Sequence, residues 1–163
     1  MTEIRNAEAS DAAELASIYR YYVEETAISF EYTAPDECEM ERRIEETRSK
    51  GYPYLVLEDD GIIRGYAYAH PFSGREAYYR SVEVTIYLRH GDEHKGYGKL
   101  LYEELEKRLK QTDIHNLYAI VMYPGYGSVE FHEKLGYSIV GKLTDCGEKF
   151  GKLWSVVYIE KRI

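Results

Sequence analysis

Apolar positions recur along the chain in two rhythms, one near 3.6 residues and one of two, and the switches between them lay out an order of strands and helices. Residues 2–5 read as a short strand. Ser10-Asp11 then opens a helix whose apolar face is Leu15, Ile18, Tyr19 and Tyr22, at i, i+3, i+4 and i+7, with Glu14 placed to close a capping box on Asp11. A second, heavily charged helix begins at Pro35-Asp36, carries Met40 and Ile44 as its apolar stripe, and stops at Gly51. Residues 54–58 and 62–70 are β-rich runs joined by Asp59-Asp60-Gly61, where the Asp-Gly step predicts a tight hairpin.

Residues 82–88, rich in β-branched side chains, predict a long central strand. Gly96-Tyr97-Gly98 opens a helix with Leu101, Leu105 and Leu109 at four-residue spacing, and residues 117–122 form another strand. A short helix capped by Ser128 ends at Gly136. Two last strands, 137–143 and 154–160, flank a bend at 147–151. No repeat or linker interrupts this alternation, so residues 1–163 are expected to form a single domain of α/β class, α+β in some schemes.

Composition narrows the function. A formal charge of -8 argues against a long phosphate-binding track and hence against a nucleic-acid partner, so any anionic ligand must be held locally. No apolar stretch approaches the roughly 20 residues of a membrane helix, and residues 1–9 lack the apolar core of a signal peptide, so no membrane association and a cytoplasmic location are expected. Cys38 and Cys146 are far apart and follow no metal-ligand spacing; both read as reduced thiols, and no metal is expected. Eighteen tyrosines are the unusual feature, some for the core and some for a pocket that is apolar with polar tips.

The most informative segment is Val84-Thr85-Ile86-Tyr87-Leu88 followed by Glu93-His94-Lys95-Gly96-Tyr97-Gly98-Lys99. Here a strand runs into a glycine-bearing turn and a helix N-terminus, where unpaired main-chain N–H groups and the helix dipole favour an anion such as phosphate. A nucleotide-binding loop needs Ser or Thr after its lysine, whereas Lys99 precedes Leu100, and a dinucleotide fingerprint needs a third glycine. A plain structural turn remains the alternative.

With Phe131-His132-Glu133-Lys134-Leu135-Gly136-Tyr137 about thirty residues later, this turn resembles the acetyl-CoA-binding motifs of the GNAT superfamily of N-acetyltransferases. Across nearly all of the chain, Ile4-Arg5, Ser29-Phe30, Tyr52-Pro53, Gly65-Tyr66-Ala67-Tyr68-Ala69, Val82-Glu83, and Lys149-Phe150-Gly151 before Trp154 are similar in order and spacing to its phosphinothricin and methionine sulfoximine N-acetyltransferase group. The resemblance implies the GNAT acyl-CoA N-acyltransferase fold, a mixed, mostly antiparallel sheet flanked by helices. It also implies acetyl-CoA as cosubstrate, the primary amine of a small, amino-acid-like molecule as acceptor, and a homodimer; a non-catalytic acyl-CoA-binding or sensing module, or an acetyltransferase of protein amines, is the alternative.

By the same resemblance, main-chain groups of Ile86, Tyr87 and Leu88 pair with the pantetheine arm, the turn through His94, Lys95, Gly96, Tyr97, Gly98 and Lys99 cradles the pyrophosphate, and Lys134 adds a cofactor contact. Two positions depart from the pattern. Glu93 stands where the group carries Gln or Arg, and would repel a pyrophosphate unless it points away; Gly125 replaces a typical Asn.

Removing a proton from an ammonium requires a base. Glu83 interrupts the apolar Val82-Glu83-Val84, where a carboxylate is costly unless it faces a cleft, and it matches the group's proposed base; the alternative is a solvent-facing strand Glu. His132 is the second catalytic candidate, as an imidazolium able to protonate the departing thiolate, with a positioning role as the alternative. His90 and His94 are expected to be solvent-exposed. For the acceptor, the resemblance points to Phe30, Arg75 and Tyr78, with Arg75 suited to a substrate carboxylate.

Overall fold

A computed structural model describes residues 1–163. Seven strands, β1 (Thr2–Asn6), β2 (Tyr54–Asp59), β3 (Ile62–Pro71), β4 (Ser81–Leu88), β5 (Asn116–Tyr123), β6 (Ser138–Lys149) and β7 (Lys152–Arg162), form one sheet in the order β1-β2-β3-β4-β5-β7-β6. Every neighbouring pair is antiparallel except β4 and β5, so the expected mixed, mostly antiparallel sheet is observed. Helices α1 (Ala12–Glu24), α2 (Glu37–Ser49), α3 (Tyr97–Leu109) and α4 (Ser128–Lys134) cover it.

Strand alternation divides the buried side chains between two layers. Leu55, Leu57, Ala67, Ala69, Val82 and Val84 point to one face and pack with Leu101, Leu105 and Leu109 of α3. On the other face, Tyr54, Val56 and Tyr66 meet Leu15, Ile18, Tyr19 and Tyr22 of α1 and Met40 and Ile44 of α2. The apolar spacing in the sequence therefore identified the inward faces of all three long helices. Many tyrosines concentrate on the α1 side, where Tyr54 stacks on Tyr68 with ring centroids 4.6 Å apart and Tyr87 meets Tyr19 edge-on at 4.9 Å.

Local signals differ from expectation at three places. Asp11 does not share a capping box with Glu14; its carboxylate accepts from the Glu8 main-chain N–H and pairs with Arg5, each at 2.8 Å, while Glu14 reaches Arg89. The first turn begins earlier than expected, at Glu8, so Asp11 stands at the third position of a capping box and its carboxylate serves the Glu8 amide and the Arg5 guanidinium together. Ser128 is the first residue of α4 rather than its cap, because Gly127 takes the cap position at φ 71°. The bend at 147–151 shrinks to Phe150-Gly151, both at positive φ, because β6 continues past a register shift between Leu143 and Gly147. By contrast, Asp36 caps α2 through Glu39 N, and Asp60-Gly61, at φ 51° and 77°, forms the two-residue hairpin turn.

The long β6–β7 hairpin is fastened to α1. Buried Lys149 donates from Nζ to the carbonyls of Val23 and Ser29, each at 2.6 Å, satisfying groups near the end of α1 that lack helical partners. A Cβ on Gly147 would fall 2.4 Å from the Phe30 ring, so the absence of a side chain there lets the hairpin close on the segment after α1.

Close backbone approach also fixes β3 against β4. A Cβ on Gly65 would lie 2.8 Å from the Tyr87 carbonyl oxygen and 3.2 Å from Leu88 Cα, and main chain cannot swing aside as a side chain can. Gly65→Ala is therefore expected to destabilise the protein by about 1–3 kcal/mol in denaturant titration. Gly74→Ala, where a Cβ meets nothing within 4 Å, should stay within about 0.5 kcal/mol of the parent.

Candidate active site

Strands β4 and β5 run parallel, but they pair only at Ser81 with Asn116, Val82 with Leu117 and Glu83 with Tyr118. Beyond Glu83 the two strands part. Residues 84–88 keep β3 on one side and have no strand on the other. The opening is a cleft with about 120 Å³ of free space, lined by Glu83, Thr85, Ile86 and Tyr87 from β4 and by Ala119 to Met122 from β5. Tyr102 of α3 and Ser128 and His132 of α4 also line it.

Glu83 stands at the vertex. Val82 and Val84 are buried in the α3 layer, so by alternation Glu83 projects to the α1 side, whereas Tyr102 and His132 belong to the α3 side. Both sets reach the cleft because the parted strands leave a passage through the sheet. Burial raises the Glu83 carboxyl above its ordinary value, an effect that nearby His70, with Nε2 at 3.6 Å, partly opposes. A raised carboxylate beside a cleft is suited to accept a proton.

His132 differs from the imidazolium expected of it. The ring is 2% exposed, and burial lowers its pKa to about 4 despite the hydrogen bond with the Ser128 carbonyl. That carbonyl, 2.6 Å from Nδ1, can only accept, so Nδ1 carries the hydrogen and Nε2 accepts from the Tyr102 hydroxyl at 2.8 Å. His132 is thus neutral at physiological pH, with both nitrogens engaged. Tyr102, which the sequence did not single out, lines the cleft beside it.

At the head of α3, Gly96 takes the cap position at φ 87° with no side-chain cap, and the first helical bond runs from Leu100 N to the Gly96 carbonyl. The early amides of a 13-residue helix are left for a ligand. Gly98 is buried against α4, where a Cβ would lie 2.9 Å from the Phe131 ring. Glu93 turns back on its own loop, accepting from Gly91 N at 2.7 Å and facing His90 Nδ1 at 3.3 Å. Its carboxylate is thereby satisfied within the loop.

Fewer lysine charges are free at this turn than the count of lysines suggests. Lys95 is bound at 2.6 Å to buried Asp92, which also pairs with Arg64 at 3.3 Å. Lys99 lies 3.7 Å from Glu103 and is exposed, as are His94 and Lys134. Tyr97 directs its hydroxyl away, to Asp59 at 2.9 Å. Asp92 escaped sequence reasoning because its burial depends on Arg64, which arrives from β3. His90 is exposed on one side but stacks on Tyr21, ring centroids 4.0 Å apart.

The acceptor candidates are not gathered at the cleft. Phe30, Arg75 and Tyr78 are exposed and none is among its lining residues; Ile28 lines it instead. Arg75 precedes and Tyr78 ends a short 3-10 turn that leaves the sheet between β3 and β4, which carries them outward. Tyr78 packs edge-on against Phe72, centroids 5.4 Å apart, and Phe72 leans on Tyr118 at 4.7 Å. Phe30 packs at Gly147.

An acyl-CoA needs an open amide edge for its pantetheine arm and main-chain donors for its diphosphate. The unpaired edge of β4 and the uncapped start of α3 supply these, so the residues present fit the group. Residues 4–156 match the family model described as Acetyltransferase (GNAT) domain, and the chain belongs to this family. It is an acyltransferase that uses acetyl-CoA.

The chain is 35% identical to a phosphinothricin N-acetyltransferase from Streptomyces viridochromogenes, over 91% of this chain and 81% of that protein. Its fold is similar to a GNAT superfamily phosphinothricin acetyltransferase from Sinorhizobium meliloti in complex with AcCoA, with TM-score 0.95, 32% identity, and 99% of this chain and 88% of that chain covered. A ribosomal-protein-alanine N-acetyltransferase from Brucella melitensis is also similar, with TM-score 0.95, 28% identity and 99% of both chains covered. No helix is long and apolar enough to cross a membrane.

Neutral His132 makes a prediction about stability. Its pKa is about 4 when folded and 6.5 ordinarily, so the unfolded chain binds the extra proton first as pH falls. Its contribution is complete above about pH 6.5 and is lost progressively down to about pH 4, with an upper bound on the order of 3 kcal/mol. Denaturant unfolding measured between pH 7.5 and 4.5 should show His132→Gln losing less stability over that range than the parent.

Proposed function

We propose that this protein transfers the acetyl group of acetyl-CoA to the primary amine of a small, amino-acid-like acceptor of the phosphinothricin or methionine sulfoximine type. The observation that carries the reading is Glu83, a carboxyl with its pKa raised by burial, at the vertex where the open edge of β4 begins. Main-chain groups of Ile86, Tyr87 and Leu88 would hold the pantetheine arm, and the amides at the start of α3, with Lys99, the diphosphate. Bound there, acetyl-CoA supplies an activated acetyl thioester.

Glu83 accepts a proton from the acceptor's ammonium, directly or through a water, and frees the nitrogen lone pair for attack. The Tyr102–His132 pair, neutral and fixed in one tautomer, lines the cleft and holds α3 against α4. Direct attack in a ternary complex is supported by the cysteines, since Cys38 and Cys146 are exposed and neither lines the cleft. The reading extends to a homodimer, in which Tyr78 and Tyr79 offer exposed aromatic surface.

A second reading, acetylation of a protein N-terminus, is favoured by the likeness to the ribosomal-protein-alanine enzyme. Thiol release assayed with phosphinothricin, methionine sulfoximine, methionine sulfone and an alanine-ended peptide separates the two. The small acceptors should turn over and the peptide should not; turnover of the peptide alone defeats the main reading.

Glu83→Gln is expected to lower kcat/KM by about 10²–10⁴-fold, with acetyl-CoA affinity unchanged in calorimetry. Because Glu83 must be ionised to act and its pKa is raised, the acid limb of kcat/KM in the parent should lie above the ordinary glutamate value of 4.5. A Glu83→Gln enzyme with undiminished turnover would remove the carboxylate from the mechanism.

A further inference from the structure

His70 ends the tyrosine-rich face of β3 and stands directly opposite Glu83 in the β3–β4 register. The two side chains separate two hollows. Glu83 lines the cleft between β4 and β5. His70 lines a second groove of about 420 Å³, bounded by Arg43, Glu46 and Lys50 of α2. His70 Nδ1 lies 3.1 Å from the Pro71 carbonyl, which can only accept, so Nδ1 carries the hydrogen and the neutral ring turns the Nε2 lone pair toward Glu83 Oε2 at 3.6 Å. That separation exceeds a hydrogen bond by about half an ångström, which a modest rotation of either side chain closes.

The chemistry requires an exit for one proton. An ammonium acceptor and acetyl-CoA yield an amide, a thiol and a proton: the thioester C–S bond breaks, a C–N bond forms, one ammonium proton ends on sulfur and another must reach solvent. While the acceptor and the thioester occupy the cleft, water has poor access to Glu83 from that side. The groove beyond His70 is a second way out.

We propose that His70 is a proton-relay residue acting through Glu83, taking the acceptor's proton from the carboxyl at Nε2 and releasing it to water in the groove beneath α2. The proposal rests on Glu83 as the base. Glu83 accepts the proton, passes it to Nε2 to form an imidazolium, and is regenerated as carboxylate. The imidazolium returns to neutral by giving a proton to groove water.

The other charged and titratable groups around the pair leave this route clear. Arg43 is held by Glu31 at 2.7 Å and Glu39 at 2.9 Å, and Lys50 by Glu46 at 2.8 Å. Tyr52 and Tyr54 reach the groove from the β2 side, Tyr68 lies two residues before His70 on β3, and Tyr118 registers beside Glu83 on β5. Of the basic side chains, only His70 comes within 4 Å of Glu83.

Profiles of kcat/KM against pH for the parent, His70→Gln and His70→Ala test the relay. His70→Gln should move the acid limb upward, because the charge interaction with His70 that opposes the burial effect on Glu83 is gone. It should also slow turnover about tenfold at neutral pH, with acetyl-CoA affinity unchanged. Added imidazole, able to enter the groove, should raise the rate of His70→Ala and leave His70→Gln unaffected. An unshifted limb together with no imidazole effect overturns the relay.

The unmodified protein offers a test that needs no variant to fold. Nitrogen NMR of its His70 ring should find the hydrogen on Nδ1 and Nε2 bare, and the opposite tautomer overturns the relay. Failure of the two readings is distinguishable. Full activity in Glu83→Gln removes the base itself, whereas loss of activity there with indifferent His70 variants removes only the relay.

Discussion

The parting of β4 from β5 is the constraint on which the rest of the structure depends. Main-chain amides inside a protein must find partners, and a sheet normally provides them from the neighbouring strand. Here the parallel pairing lasts three residue pairs and stops at Glu83. The edge of residues 84–88 is left for a molecule that presents amides of its own, as a pantetheine arm does. The same parting joins the two faces of the sheet, so side chains from the α1 side and the α3 side line one cleft with Glu83.

A chain with a formal charge of -8 that binds a polyanion must keep its carboxylates away from the phosphates. The structure does so by internal pairing. Glu93 folds back on Gly91 N, and Asp92 is buried between Lys95 and Arg64. This shapes the loop but ties up one of its cations, so the free donors at this turn are mainly the main-chain amides of α3. Fixed dipoles in a shaped loop discriminate by geometry, where flexible lysines discriminate mostly by charge.

The polar groups near the chemistry are held by a rigid aromatic surround. Tyr102 and His132 fix each other's protonation, and the Ser128 carbonyl fixes the ring's tautomer. On the opposite face, stacked Tyr54, Tyr66 and Tyr68 lead to His70 and so to Glu83. Rings with few rotamers position polar tips at low entropic cost, which gives the abundance of tyrosine a physical purpose. Lys149 adds a similar restraint by binding the β6–β7 hairpin to α1.

Sequence by itself determined the order of strands and helices, the inward faces of α1, α2 and α3, the Asp60-Gly61 turn, the glycine-bearing entry to α3, and Glu83 as a carboxylate out of place in an apolar strand. Those features are local: periodicity, turn chemistry and the cost of burying a charge act over a few residues. Tertiary structure alone decided that Asp11 serves Arg5 rather than Glu14, that His132 is neutral, that Arg75 and Tyr78 stand off the cleft, and that His70 faces Glu83. Each depends on a partner that reaches it through folding, or on burial that exists only once the layers close. Protonation and salt-bridge choice are set by such neighbours, and no spacing along the chain encodes them.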